Sequence, residues 1–173
     1  IDGYTIGSSP LKLGQVNEIA KILGTLHRST EDLPAHLMKQ LPRENFDIGF
    51  CRSLYKFIKN DLVSKHDAVL RIVKPFAGYL LDNIKRMKYL AETLKKKPKH
   101  YVLCHGDLHY WNMIQSKHIK LIDWECANLA PPEQDLILHI AGQNAELFLS
   151  VYRKYITSYE LDLDALEFYF LSY

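Results

Sequence analysis

No stretch of eighteen or more apolar residues occurs in the 173-residue chain, so a membrane-spanning helix is excluded and no membrane partner is expected. Cysteine is scarce. Cys51, Cys104 and Cys126 are odd in number and unpatterned, which argues against a disulfide framework and suits a reducing, cytoplasmic setting. No internal repeat or low-complexity tract is evident, and no secretory leader is visible in these residues. The chain opens on Ile1 rather than Met, so residues of the natural protein are expected to precede it. No aromatic residues interleave with the basic run Lys95-Lys96-Lys97-Pro98-Lys99, which gives no reason to expect a nucleic-acid partner. That run reads instead as a solvated helix C-terminus, where cations meet the negative end of the macrodipole.

What is there suits one domain with a substantial core, since 47% of the residues are hydrophobic. The net charge of +2 hides an asymmetry: residues 1–122 hold 20 Lys and Arg against 11 Asp and Glu, whereas residues 123–173 hold 2 against 9. The first segment, 1–6, reads as a short strand or hinge, with a turn over 7–10. Val16, Ile19, Ala20, Leu23 and Leu26 recur at helical spacing, which predicts an amphipathic helix over 13–28. Residues 31–45, with Pro34 and Pro42, read as loop, and 46–62 as a helix burying Ile48, Leu54, Phe57 and Ile58. Pro75 divides 65–96 into a short helix and a long one, whose stripe is Leu80, Leu81, Ile84, Met87, Leu90, Ala91 and Leu94. A strand over 101–104, a loop, and a hairpin pairing 113–115 with 118–122 come next, then helices near 133–143, 145–157 and 163–172.

The chemistry concentrates in His105-Gly106-Asp107-Leu108-His109-Tyr110-Trp111-Asn112 and, eleven residues on, Asp123-Trp124-Glu125. Taken singly each residue has an ordinary reading: Gly-Asp a turn, Asn112 a cap, Asp123 the N-cap of the next element. Together they keep the spacing of a protein-kinase catalytic loop, His-Arg-Asp-Leu-x-x-x-Asn, with Gly106 in place of the Arg, and a second Asp stands where the metal-binding Asp of such an enzyme is expected. Phosphoryl transfer asks a protein for positioning and charge neutralisation rather than covalent chemistry. A carboxylate must take the proton of the attacking hydroxyl, and hard Mg²⁺ takes oxygen ligands such as Asp carboxylates and Asn amides. Asp107 and Asn112, five apart on a loop, let the first face a substrate while the second folds back toward a metal. Asp123 closes the apolar strand Ile119-Lys120-Leu121-Ile122, a rigid element.

Tyr101 to His109 with Asn112, then Lys120 to Glu125, then Ala130-Pro131-Pro132-Glu133-Gln134-Asp135-Leu136, resemble the aminoglycoside phosphotransferase and choline kinase superfamily, whose members carry His-Gly-Asp-Leu-His on a protein-kinase fold. Ala130 to Leu136 is similar to the spectinomycin kinase branch, and Ile122 to Glu125 to choline kinases. Ile22 to His27 resembles the helix after the hinge. The similarity covers residues 1–140 and is sharp over 101–136. It implies Asp107 as catalytic base, Asn112 and Asp123 as metal ligands, Mg²⁺ as cofactor and ATP or GTP as phosphoryl donor. Asp135 would buttress the catalytic loop, with simple N-capping as the alternative. His105 is read as a structural residue of the loop. His109 and Trp111 are possible substrate contacts or packing residues. Glu125, a third possible substrate contact, replaces the Gly of the protein-kinase motif.

The implied fold is α+β and mainly α: a kinase C-lobe with a small β-hairpin beside the catalytic loop. Residues 1–12 would be the hinge segment and 13–173 the helical lobe that carries catalysis and acceptor binding. The N-lobe is absent, for no glycine-rich loop and no Val-Ala-Ile-Lys lysine occurs. Weak or no activity is expected of the chain alone, with the N-lobe or a second copy covering the exposed interface. The expected acceptor is a hydroxyl of a small molecule, cationic to match the acidic C-terminal third, such as an aminoglycoside-type antibiotic, which would mean antibiotic resistance; a choline- or sugar-type kinase is the alternative. A noncatalytic pseudokinase is the reading from another class. A metallophosphoesterase would need further Asp-x-His and Gly-Asn-His clusters that the sequence lacks. Zinc on Cys104, His105 and His109 is disfavoured because Cys104 continues an apolar run.

Overall fold

The computed structural model describes residues 2–7, 10–61, 68–98, 100–157 and 159–173. In chain order the elements are β1 (Tyr4–Thr5), α1 (Leu13–Arg28), α2 (Ala35–Gln40), α3 (Gly49–Lys56), α4 (Ala68–Val73), α5 (Ala77–Lys96), β2 (Val102–Cys104), β3 (Met113–Gln115), β4 (Ile119–Leu121), β5 (Asn128–Ala130), α6 (Glu133–Ile140), α7 (Ala145–Tyr152) and α8 (Leu163–Ser172). This is the mainly helical α+β class expected from the sequence. Two compact units emerge: Ile1–Glu44 with Lys99–Leu166, and Asn45–Pro98 with Glu167–Tyr173.

The first unit is built on α1. Val16, Ile19, Ala20 and Leu23 fall three or four residues apart, line one face and are buried. Gln15 accepts the Lys12 N–H at 2.9 Å, satisfying one of the donors that a helix start leaves open. The buried face packs with Ile6, Leu108, Met113, Ile119, Leu136, Phe148 and Tyr152. Each such large side chain contributes about 1.5–3 kcal/mol by leaving water. Gly24 lies where α1 meets Tyr155: a Cβ there would stand 2.7 Å from Tyr155 Cβ, too close for packed carbons.

The expected hairpin forms, with Met113 opposite Leu121 and Gln115 opposite Ile119. β1 extends it on the other edge through Tyr4–Gln115 and Thr5–Ile114. A second antiparallel pair joins β2 to β5, with Cys104 opposite Asn128. Neither pairing was legible, because two- and three-residue strands carry no alternation to read.

In the second unit Ile58 packs with Leu54, Phe57, Leu80, Leu81 and Ile84, while Met87, Leu90, Ala91 and Leu94 bury the rest of the predicted α5 stripe. Cys51 Sγ meets Met87 Sδ at 3.5 Å, and Phe46 packs edge-to-face on Phe168. Arg86 grips Glu167 with two hydrogen bonds of 2.7 and 2.5 Å, but both side chains are about 40% exposed and the pair adds little stability. Two expectations are corrected. The loop over 31–45 contains α2, started by Pro34 at its N-cap, where a missing N–H costs nothing. The helix placed from Phe46 begins at Gly49 and loosens into a π-turn over Phe57–Asp61. The predicted boundaries at Leu62 and residue 65, together with Ile1, Ser8, Ser9 and Lys99, lie outside the described residues.

His139 on α6 is buried between the rings of Tyr110 (5.6 Å) and Phe148 (5.1 Å, stacked), and neither ring nitrogen has a hydrogen-bond partner among the described residues. Burial pulls its pKa down to about 4. The unfolded chain takes up this proton near pH 6.5 and the folded one only near 4, so stability falls as pH drops through that window. The full loss is about 3 kcal/mol, from 1.36 kcal/mol per pKa unit. Urea unfolding at pH 7 and pH 4.5 should show this slope, and His139→Phe should flatten it. An unchanged slope in the variant would assign the acid sensitivity to other groups.

Candidate functional site

The loop between β2 and β3 gathers most of the motif. β2 delivers a buried His105, and Gly106 follows at φ 84°, in the region that favours glycine. A Cβ on Gly106 would collide with the Cys126 carbonyl, which accounts for a glycine where protein kinases carry arginine. Asp107 comes next, its side chain 42% exposed. Asn112 closes the loop: its backbone N–H donates to His109 O at 2.9 Å, and its side-chain Nδ2 donates to Asp107 O at 2.8 Å and Asp107 Oδ2 at 3.2 Å. One amide thus folds the loop and steadies the carboxylate.

The loop is tied to the end of β4 from both sides. Ile122 N–H donates to Asn112 O at 3.0 Å, and His105 Nε2 donates to Ile122 O at 2.8 Å. Asp123 follows directly, exposed, with φ 65° and ψ 64°. That left-handed conformation costs about 1–2 kcal/mol in most residues and less in Asp, whose short polar side chain bonds locally. The Trp124 ring lies 4.6 Å from His105, and its Nε1–H donates to Leu121 O.

Asp135 meets the loop from α6. Its Oδ2 accepts the His105 N–H at 2.8 Å, its Oδ1 accepts the Gly106 N–H at 3.0 Å, and His27 Nε2 lies 3.2 Å from Oδ2. The N-terminus of α6 has no side-chain cap bond, so this carboxylate faces the loop rather than its own helix. Burial alone would raise the Asp135 carboxyl, but the bonds from His27 and the two amides outweigh it and hold it below the usual carboxylate range. His27 also meets the Tyr152 hydroxyl through Nδ1 at 2.8 Å. Neither His27 nor Tyr152 was singled out from the sequence. The available signal was that His27 continues the buried 16-20-23 stripe of α1, where a polar residue needs a partner.

Three predicted residues sit differently. His109 Nε2 lies 3.5 Å from Asp107 Oδ2, so it touches the carboxylate directly. Trp111 is 59% exposed and its ring faces Gly7; Glu125 is exposed in the turn Trp124–Cys126. Among the described residues no hydrogen bond or ion pair joins Trp111 or Glu125 to Asp107, Asn112 or Asp123. A zinc set of Cys104, His105 and His109 is not assembled. The one close group of ligand-type side chains among the described residues is His27, Cys104 and Asp135. It suits zinc poorly, for His27 and Asp135 already bond each other and burial pushes the Cys104 thiol well up, keeping it protonated. At the loop the donors are hard oxygens. Asn112 turns its nitrogen to Asp107, which leaves Oδ1 for a cation, and this amide oxygen and the exposed Asp123 carboxylate are ligand types that fit Mg²⁺.

Residues 13–169 match the family model described as phosphotransferase enzyme family. The chain is 27% identical over 148 residues to Protein StrN of Streptomyces griseus, an alignment covering 78% of this chain and 44% of that protein. Its fold is similar to spectinomycin phosphotransferase in complex with ADP and spectinomycin (TM-score 0.70, 22% identity, 99% of this chain and 55% of that one). It is also similar to an ethanolamine kinase of Plasmodium vivax (TM-score 0.60, 21% identity, 99% and 55%). The chain therefore spans about half the length of these relatives. The fold is kinase-like, and with the family model matched from residue 13 to residue 169 the chain belongs to the phosphotransferase enzyme family.

Proposed function

We propose that this chain is the catalytic lobe of a kinase that transfers the γ-phosphoryl group of ATP or GTP to a hydroxyl of a small cationic molecule. The observation that carries the reading is the placement of Asn112, whose side chain holds the Asp107 carboxylate at 3.2 Å while its backbone carbonyl is held by the strand end preceding Asp123. Asp107, steadied on Oδ2, keeps Oδ1 for the acceptor's hydroxyl proton. His105 and Asp135 fix the loop. Mg²⁺ bound by Asn112 Oδ1 and Asp123 would neutralise phosphate charge. Residues 1–12 form the hinge and 13–173 the lobe. The glycine-rich loop and clamping lysine lie outside these residues, in an N-lobe that covers this lobe's nucleotide face.

Nucleotide donation is supported by the ADP in the spectinomycin phosphotransferase complex. A cationic acceptor is supported by the balance of 9 acidic to 2 basic residues after residue 122, a field that attracts amines and weakens with salt. An aminoglycoside-type antibiotic fits that field, with resistance as the consequence, and so does choline or ethanolamine; the likeness to an ethanolamine kinase favours the second as the alternative. His109, beside Asp107, and the exposed Trp111 and Glu125 are the candidate acceptor contacts. The setting is cytoplasmic. Asp123 brings a full charge and Asn112 a dipole, so Asp123→Ala should raise the Mg²⁺ needed for half-maximal transfer by about 10-fold or more, and Asn112→Ala by less. Metal titrations of both variants that overlay the unsubstituted protein would move the metal site elsewhere.

A further inference from the structure

Tyr152, His27 and Asp135 form one chain of hydrogen bonds in the buried interior, each at most 1% exposed. Its hydrogens can be assigned by counting donors and acceptors. The His105 and Gly106 amides can only donate, so both Asp135 oxygens accept. An Asp135 oxygen that accepts from a backbone amide and also lies 3.2 Å from His27 Nε2 requires a hydrogen on that nitrogen. The Tyr152 hydroxyl keeps its hydrogen, because burial pushes the phenol far up. Among the described residues its one acceptor is His27 Nδ1, at 2.8 Å. A hydrogen on Nδ1 as well would set two donors against each other and orphan the phenolic hydrogen in the core. Every bond is satisfied only by a neutral His27 carrying its hydrogen on Nε2.

We propose that Tyr152 is a positioning residue: its hydroxyl donates to His27 Nδ1, fixes the Nε2–H tautomer that holds Asp135, and through Asp135 sets the two amides that precede Asp107. Without the hydroxyl, Nδ1 loses its donor and the ring is held at one end only, by the carboxylate, which loosens the loop from a distance. The catalytic consequence rests on Asp107 acting as base, whereas the tautomer itself is observed without turnover.

Long-range ¹H–¹⁵N spectra of the labelled protein test this, since Nε2–H, Nδ1–H and imidazolium rings give distinct cross-peak patterns. The expected pattern is pure Nε2–H for His27. In Tyr152→Phe the Nδ1 signal should shift as its hydrogen bond is lost, and the His105 and Gly106 amides should exchange with solvent about tenfold faster while the Leu23 amide on α1 stays unchanged. His27→Gln in the same background supplies an N–H to Asp135 without a ring that needs support at its far nitrogen, and should restore protection. An imidazolium or Nδ1–H ring in the unsubstituted protein overturns the proposal, even if Tyr152→Phe does not fold. So does a folded Tyr152→Phe with unchanged loop exchange, equal acceleration at Leu23, or a double variant that stays unprotected.

Discussion

Asp107→Asn should lower phosphoryl transfer by about 10²-fold or more, with nucleotide affinity nearly unchanged. The substitution preserves shape, and the amide oxygen can still accept the Asn112 Nδ2–H that now steadies the carboxylate at 3.2 Å. What disappears is the proton acceptor. Because the loop is also fixed through His105, Gly106 and Ile122, the backbone has no reason to move. The His109 Nε2, 3.5 Å from the carboxylate, remains as a neighbouring base but is placed to touch Asp107 rather than to replace it. Kinetics with spectinomycin, choline and ethanolamine as acceptors, supplied with the nucleotide-binding half, would measure the loss. Turnover close to that of the unsubstituted protein would remove Asp107 from the role of base.

Asp135→Ala should destabilise the first unit by about 3–5 kcal/mol, the cost of leaving three buried N–H donors without their carboxylate acceptor. The truncation leaves the His105 and Gly106 amides and His27 Nε2 without this acceptor in the buried interior, each a penalty of about 1–3 kcal/mol before relaxation. The melting temperature should fall by roughly 10 °C for a unit of this size. Trp111 and Trp124 both lie in the first unit, so tryptophan fluorescence reports its unfolding directly. Linkage gives the same interaction a pH signature. A carboxyl held below its ordinary value stabilises the fold above that value and loses the contribution as pH falls through the folded one. A loss under about 1 kcal/mol in Asp135→Ala would mean that the carboxylate does not carry the loop.

Much of the site was legible because its chemistry is local. Asp107, Asn112 and Asp123 lie within seventeen residues, and the strand and hairpin that carry them keep short-range patterns. The α1 and α5 stripes were readable for the same reason, since a helix repeats its buried face every three or four residues. The features that stayed hidden are long-range or too short to repeat. The His27–Tyr152 bond joins residues 125 apart, and no spacing rule connects them. β5 is three residues long and gains its identity only from pairing with β2. Asp135 carries the same letters whether it caps a helix or grips a loop, and only the positions of the His105 and Gly106 amides separate the two. Pro34 falls in a stretch that reads as loop, whereas at an N-cap it starts α2.

The proposed phosphoryl transfer would need a metal–nucleotide complex held by Asn112 and Asp123 close to Asp107. Paramagnetic broadening measures this without any turnover: Mn²⁺ is added with ATP or GTP to the ¹⁵N-labelled protein, and the amide signals are tracked. The signals of Asp107, Asn112 and Asp123 should broaden first, while those of the other acidic positions Glu146 and Asp162 stay sharp. Broadening centred on Glu146, Asp162 or any site away from the loop, with residues 107–123 sharp, would contradict it.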